Sequence, residues 1–435
     1  MRIAILGGGV SGLMVGRLLK ERGHEIEIFE LEAKLGGLCR SDVVNGFVYD
    51  IAGGHIFHSR RKDLMDFIVG VLGDQAVRNV RNTKIYHHGH YVKYPFENGL
   101  GDLPLDVRYE CLMSYIEAHY RRQYERLEAP QDFRNWCYYR FGKGITEQFM
   151  LPYNEKIWNI DPSKLGSGWI AGRVPDAPIE DVVKAALGIA TEGYQHQAIF
   201  YYPRQGGFQT FVDKLAEGAA DRVHLSTAVK SVRKTVSGWE VNGRSFDDAM
   251  NCMPLHELLP VLEGVPRAVH EAAERLMWNS VATVLIGLEG DAPRPYSWLY
   301  LPHPENGRCN RITYLSNYST ENAPPGCISV LAEVTYPGRS DLRVDDSFVR
   351  DVVNSLDANG MLDKRKVCTT ASRKLKYAYA VYDLGSEKRI ATIMDYFEQI
   401  GLSSVGRFAR FSYINVDHAI GEAMAFVEKR FPARR

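Results

Sequence analysis

The sequence predicts an α/β fold in which an N-terminal parallel βαβ unit is completed by later segments, with a mainly helical domain inserted and an antiparallel-sheet domain laid over it. Three observations carry this. Residues 2–30, RIAILGGGVSGLMVGRLLKERGHEIEIFE, run from a short apolar strand through Gly7, Gly9 and Gly12 into a helix, then into a second strand ending at Glu30. From about Leu105 to Ala190 the apolar pattern is mostly helical. From about Val281 to Lys376 short strand-like runs recur between turns, as in an antiparallel sheet. The expected division is 1–75, 203–262 and 395–435 for the βαβ domain, 100–195 for the helical domain, and 76–99 with 263–394 for the sheet domain.

Composition sets the outer limits. A chain of 435 residues with 45% hydrophobic content has room for two or three domains with substantial cores. Lys+Arg and Asp+Glu both total 53, so no global basic field draws the chain to nucleic acid or an anionic membrane; any anion site has to be built locally. Seven cysteines form an odd set without a Cys-x-x-Cys pair, which argues against a disulfide framework and a zinc cluster and for reduced thiols in the cytoplasm. Met1 and Arg2 lead straight into a strand, and no apolar run approaches membrane-span length, so a soluble protein without signal peptide is expected. The 24 tyrosines and 18 phenylalanines suit a core and equally a polar ligand site.

The βαβ stretch is a Rossmann-like dinucleotide site. Its glycines permit a tight turn and close approach of a pyrophosphate to the helix N-terminus, and Glu30 stands where an acid accepts hydrogen bonds from ribose hydroxyls. That leaves NAD and FAD open. Just beyond, LEAKLGGLCRS adds the doublet Gly36-Gly37, with Arg40 and Ser41 placed for phosphate or ribityl oxygens. This resembles the second glycine motif of the large flavoprotein clan that includes amine oxidases, protoporphyrinogen oxidases and nucleotide-sugar mutases, so FAD is the expected cofactor, held non-covalently. Two later segments fit the same scheme: HLSTAVKSVRK offers Val229 beside the adenine, and GRFARFSYINVDHAIGEAMAF places Gly406 and Arg407 before a closing helix.

Further along, KDLMDFIVGVLG puts Leu64, Phe67, Ile68, Val71 and Leu72 on one helical face closed by Gly73, and IYHHGHYV reads as a tight hairpin. Within YDIAGGHIFHS, His55 and His58 share a face on a helix but oppose each other on a strand, and Ile56 and Phe57 favour the strand. No metal site is expected there or elsewhere.

Within the flavoprotein clan the sequence resembles the UDP-galactopyranose mutase family over nearly its whole length, and its eukaryotic-type branch more than the bacterial one. AGGHIFHS is similar to the family's histidine loop, YVKYPFENGL to its Tyr-Pro-Phe segment, and FMLPYNEKIWNIDPSKLGSGWIAGRV to its substrate helices and first arginine. SWLYLPHPENGRCNRITYLSNYS, KYAYAVYDL and FSYINVDHA follow in family order. The resemblance implies interconversion of the pyranose and furanose forms of a nucleotide-linked galactose. Reduced FAD acts through N(5) at the anomeric carbon, forming a flavin–sugar adduct with UDP displaced and later recaptured.

The same resemblance assigns roles. Gly54 and His55 lie against the flavin. Arg173 and Arg311 hold the diphosphate, assisted by the hydroxyls of Tyr300, Tyr379 and Tyr413, with Asn415 near sugar or flavin. Tyr94, Phe149 and Asn154 belong to the uracil and ribose pocket, and Trp298 and Trp158 to the sugar side. Two departures bear on specificity: Glu97 stands where the eukaryotic-type enzymes usually carry glutamine, and Gln197 where asparagine is expected, which leaves nucleobase and sugar open. NADH or NADPH is the candidate reductant, although no nicotinamide pocket is evident. A nucleotide sugar is the expected partner, and a homo-oligomer is compatible with the sequence. Two other readings stand beside the mutase: an FAD-dependent oxidase or dehydrogenase of the amine-oxidase or protoporphyrinogen-oxidase type, and a catalytically silent nucleotide-binding flavoprotein.

Overall fold

A computed structural model describes residues 1–170, 174, 177–189, 191, 198–219 and 222–432. Its first layer is a five-stranded parallel sheet in the order Ser403–Ser404, Asp248–Asn251, Arg2–Leu6, Glu25–Phe29, Val223–His224. The central strand forms because Ile3, Ala4, Ile5 and Leu6 are consecutive and apolar, and all are fully buried, as both faces of a parallel sheet require. Helix Val10–Glu21 covers one face with Leu13, Met14, Val15 and Leu19, and helix Val416–Arg430 packs on it. Helix Lys62–Leu72 buries Leu64, Ile68 and Leu72 and stops at Gly73, as its periodicity predicts; Phe67 and Val71 pack at the margin.

The second sheet has seven strands, in the order Val367–Val381, Met277–Glu289, Cys327–Pro337, Arg311–Tyr314, Trp298–Tyr300, Thr83–His87, His90–Lys93. It differs from the expected antiparallel array of short strands in two ways. Trp298–Tyr300 runs parallel to Thr83–His87, because the hairpin of residues 83–93 joins from a distant part of the chain. Three of its strands are long, spanning 13, 11 and 15 residues. Met277–Glu289 is buried along nearly its whole length, so it lacks the alternation that marks a half-exposed strand.

Helices Leu105–Tyr124, Phe133–Ile145, Leu151–Trp158 and Ile179–Ala186, with a π-helical turn over Thr146–Met150, form a cluster of their own that packs on the second sheet at Ile85, Val92 and Val381. Asp132 caps the second of them, accepting from Asn135 N at 2.9 Å. Among the described residues no helix is long and apolar enough to cross a membrane.

Candidate active site

The parallel sheet, the mixed sheet and the helices enclose one cavity of about 1410 Å³, and its walls come from residues as far apart as Gly7 and Ala425. One end is the glycine turn. Gly7 holds φ +108°, and a Cβ there would lie 3.1 Å from the carbonyl of Cys252 and from Met253 N, so backbone alone fits. Gly9 caps the first helix, and the second glycine motif docks on the first through Gly36 N donating to Gly8 O at 2.8 Å. Glu30 is buried at the cavity wall; its carboxylate accepts from Gly8 N at 2.8 Å and Glu32 N at 2.9 Å, which fixes it in place and leaves a lone pair on each oxygen. Val229 and Arg40 also line this end, Arg40 steadied by Gly37 O at 3.0 Å and Glu32 at 3.0 Å.

Three expected cofactor residues are not on the wall. The Ser41 hydroxyl donates to Asp50 Oδ1 at 2.5 Å and accepts from Gln209 N at 3.2 Å, so it belongs to a buried hub with Tyr202 rather than to a ligand contact. Gly12 packs against the Gly7 carbonyl and Gly406 against the Ser11 side chain, each leaving room for a neighbour from behind.

The middle of the cavity is built on an ion pair. Arg311 and Glu333 face each other across adjacent strands, and Arg311 donates from Nε to Oε1 and from Nη2 to Oε2, both at 2.7 Å. Burial alone would lower the Arg311 pKa, but the Glu333 charge more than reverses this and keeps the guanidinium ionised. Glu333 is completely buried and also accepts from Gly54 N at 3.3 Å; a Cβ on Gly53, at φ +114°, would stand 2.6 Å from its Oε2. Arg311, Glu333 and the Gly53–His55 loop are thus one packed unit. Sequence reading missed Glu333; its only mark there is a carboxylate inside the apolar run CISVLAEVTYP.

His55 lies in the wall with Nδ1 unpartnered and its ring 5.5 Å from Phe208. Burial, then the charges of Arg311 and Arg407, push its pKa down to about 3, so the imidazole is neutral. The expected strand at Ile56–Phe57 is instead a loop with a single bridge from Phe57 to Tyr201, because the chain there follows the cavity rather than a sheet edge.

Arg407 donates to the carbonyls of Ile414 and Ala378 at 2.8 and 2.7 Å, and its guanidinium sits 5.3 and 5.0 Å from the rings of Tyr379 and Tyr413. Tyr300, Trp298, Tyr94 and Asn415 line the same space, Tyr94 and Tyr300 with ring centroids 5.2 Å apart. At the far end Phe149 stacks between Phe96 and Tyr153. Asn154 turns its amide inward, donating to Met150 O at 2.7 Å and accepting from Trp158 Nε1 at 3.0 Å. One amide hydrogen and one oxygen lone pair remain for a ligand. Arg173 and Gln197 lie outside the described residues.

Residues 10–382 match the profile of the flavin containing amine oxidoreductases. The chain belongs to that family. Among curated relatives it is similar to dTDP-fucopyranose mutase of Escherichia coli, 24% identical over 176 residues that make up 38% of this chain and 43% of that protein. It is also similar to UDP-galactopyranose mutase of Mycoplasma pneumoniae, 26% identical over 184 residues, 37% of this chain and 43% of that one. The matched stretches therefore span less than half the length of these relatives. A crystal structure of reduced UDP-galactopyranose mutase shares the fold, with a TM-score of 0.88 and 24% identity over 98% of this chain and 95% of that chain.

As a member of the flavin-containing amine oxidoreductases, the chain offers FAD a fitting site. The backbone-only turn at Gly7, the pinned Glu30 and the docked Gly36–Gly37 segment suit a pyrophosphate and ribose. The cavity's length beyond them, flanked by Gly54 and His55, suits a flat ring system. Those residues, with Arg407 as expected from the sequence, would hold the dinucleotide; Arg311 and the tyrosines are left for a second ligand.

Glu97 adds a pH-dependent element to the wall. It is buried with Oε1 unpartnered, and burial raises its pKa to about 7, opposed by its own backbone N–H and the charge of Arg140. A carboxyl whose folded pKa lies above its unfolded value contributes nothing below pH 4.5, destabilises progressively as pH rises to 7, and exerts its full penalty above that. The gap amounts to about 3 kcal/mol. Glu97→Gln is therefore expected to raise the thermal midpoint at pH 8 and leave it nearly unchanged at pH 4.5, read by calorimetry at the two pH values.

Proposed function

We propose that this protein is a flavin-dependent nucleotide-sugar mutase that interconverts pyranose and furanose forms, with UDP-galactopyranose and UDP-galactofuranose as the pair, and that it belongs to the eukaryotic-type branch. The observation that carries the reading is the Arg311–Glu333 unit beside the Gly53–His55 loop. It presents a fixed guanidinium to a cavity where Tyr300, Tyr379 and Tyr413 also stand. A fixed cation ringed by hydroxyls suits a diphosphate, which ionises, departs and must return.

Bound and reduced, FAD would supply a nucleophilic nitrogen at the anomeric carbon. The protein does the rest. Arg311, with Arg173 as its proposed partner, neutralises the departing diphosphate and holds it close for recombination. Arg407, anchored on carbonyls and aromatic faces, is held for the cofactor. Tyrosine hydroxyls donate to phosphate oxygens, and Tyr94, Phe149 and Asn154 receive the base and ribose. His55, half-buried and neutral, would offer a lone pair or a single N–H to the flavin and adds no charge. The relatives named for mutases of both UDP-linked and dTDP-linked sugars support this reaction class.

The family match also supports an oxidase or dehydrogenase that consumes a substrate hydride. A single experiment separates the two. Anaerobic enzyme, prereduced with dithionite or NADPH, is given UDP-galactofuranose, with dTDP-fucopyranose in parallel, and product is counted against electrons. Many turnovers per reduced flavin, with little activity from the oxidised form, are expected. One product per electron pair, or equal rates from both forms, establishes the oxidoreductase instead.

A further inference from the structure

The hairpin turn after Thr83–His87 and the loop after Trp298–Tyr300 bring together three histidines that play no part in the cavity. His87 and His303 are buried, and His88 is exposed. His87 Nδ1 and His303 Nε2 are 2.8 Å apart, and one nitrogen from each of the three rings lies within 4.8 Å of the others. The His88 ring stacks on His303 at 4.3 Å, and its Nδ1 is 3.3 Å from Glu305 Oε1. His303 and His87 stand 216 residues apart in sequence, so chain proximity does not explain their meeting.

We propose that His87, His88 and His303 form a binding site for a divalent transition-metal ion of zinc type, with Glu305 or water as fourth ligand. Three imidazoles and a carboxylate are the donor set that such ions take, at metal–nitrogen distances of about 2.0–2.1 Å, so tetrahedral ligand atoms lie about 3.3 Å apart. The His87–His303 pair is already at that scale. Rotation of the exposed His88 side chain turns its stacked ring into an in-plane donor, and Glu305 follows from its present contact. The proton now shared between His87 and His303 shifts to a ring nitrogen facing away from the ion, so both ligate as neutral imidazoles. The backbone is steadied from behind: Lys156 Nζ donates to Leu301 O and His303 O at 3.0 and 3.1 Å.

Such an ion would tie the hairpin tip to the loop that follows Tyr300. His87 also packs edge-on against Phe96 at 5.6 Å, and Phe96 stacks on Phe149 in the cavity wall, so the clamp would brace the wall without touching the second ligand.

The test uses tag-free flavin-loaded protein stripped with EDTA and equilibrated by dialysis against Zn²⁺, with metal content measured by mass spectrometry. One zinc per chain is expected. His88→Asn, which tolerates the left-handed backbone of that turn, and His303→Gln are each expected to weaken uptake by roughly tenfold or more while the flavin spectrum stays unchanged. Absence of uptake by the unaltered protein, or wild-type affinity in either variant, overturns the proposal. Should His303→Gln lose its flavin, His88→Asn decides alone.

Discussion

Arg311→Lys is expected to lower kcat by roughly 30- to 1000-fold, about 2–4 kcal/mol of transition-state stabilisation, while the protein keeps its fold and its yellow colour. The lysine retains a charge for Glu333 but loses the planar fork that grips the carboxylate with one edge and offers its remaining N–H donors to a phosphate. Arg311→Ala should do more, and for two separable reasons. It removes the donor, and it strands a completely buried carboxylate, which costs about 3–5 kcal/mol of stability. Adding Glu333→Gln to Arg311→Ala should therefore recover thermal stability but not turnover. Recovery of both would show that Arg311 serves the fold alone; stability and rate are read from thermal midpoints and steady-state assays on the same preparations.

Gly7→Val is expected to give protein without flavin. The residue holds a backbone angle that side chains rarely adopt, and its missing Cβ faces Cys252 and Met253 backbone in the adjoining strand connection, where no side chain can swing aside. Either the turn shifts, and its N–H groups no longer meet a pyrophosphate, or the adjacent strands part. The ratio of absorbance near 450 nm to that at 280 nm measures the outcome. Normal flavin content in Gly7→Val would mean that the cofactor does not approach this turn.

How far these features were readable beforehand varies with their physics. The glycine turn, Glu30 and the first helix were legible because local chemistry determines them: glycine where no Cβ fits, apolar spacing where a helix meets a sheet. Strand Met277–Glu289 hid its length because both its faces are buried, so nothing alternates along it. Ser41 did not announce its partner, because a serine a few positions after a glycine doublet looks the same whether it faces a phosphate or Asp50. Glu333 and the histidine triad were invisible for another reason. Their meaning lies in a partner on a neighbouring strand or loop, and no spacing within one segment records it.

The order of strands in the parallel sheet also fixes an order in time. Residues 2–29 provide its centre, but the neighbours that flank them are residues 223–224 and 248–251, and the far edge is 403–404, with helix Val416–Arg430 completing the cover. At synthesis rates of about 5–20 residues per second, the first two strands leave the ribosome many seconds before their neighbours exist. Throughout that interval they carry open edges and uncovered apolar faces. The cavity, whose walls reach to Ala425, is complete only once that residue has been made, so the glycine turn exists long before the site it serves.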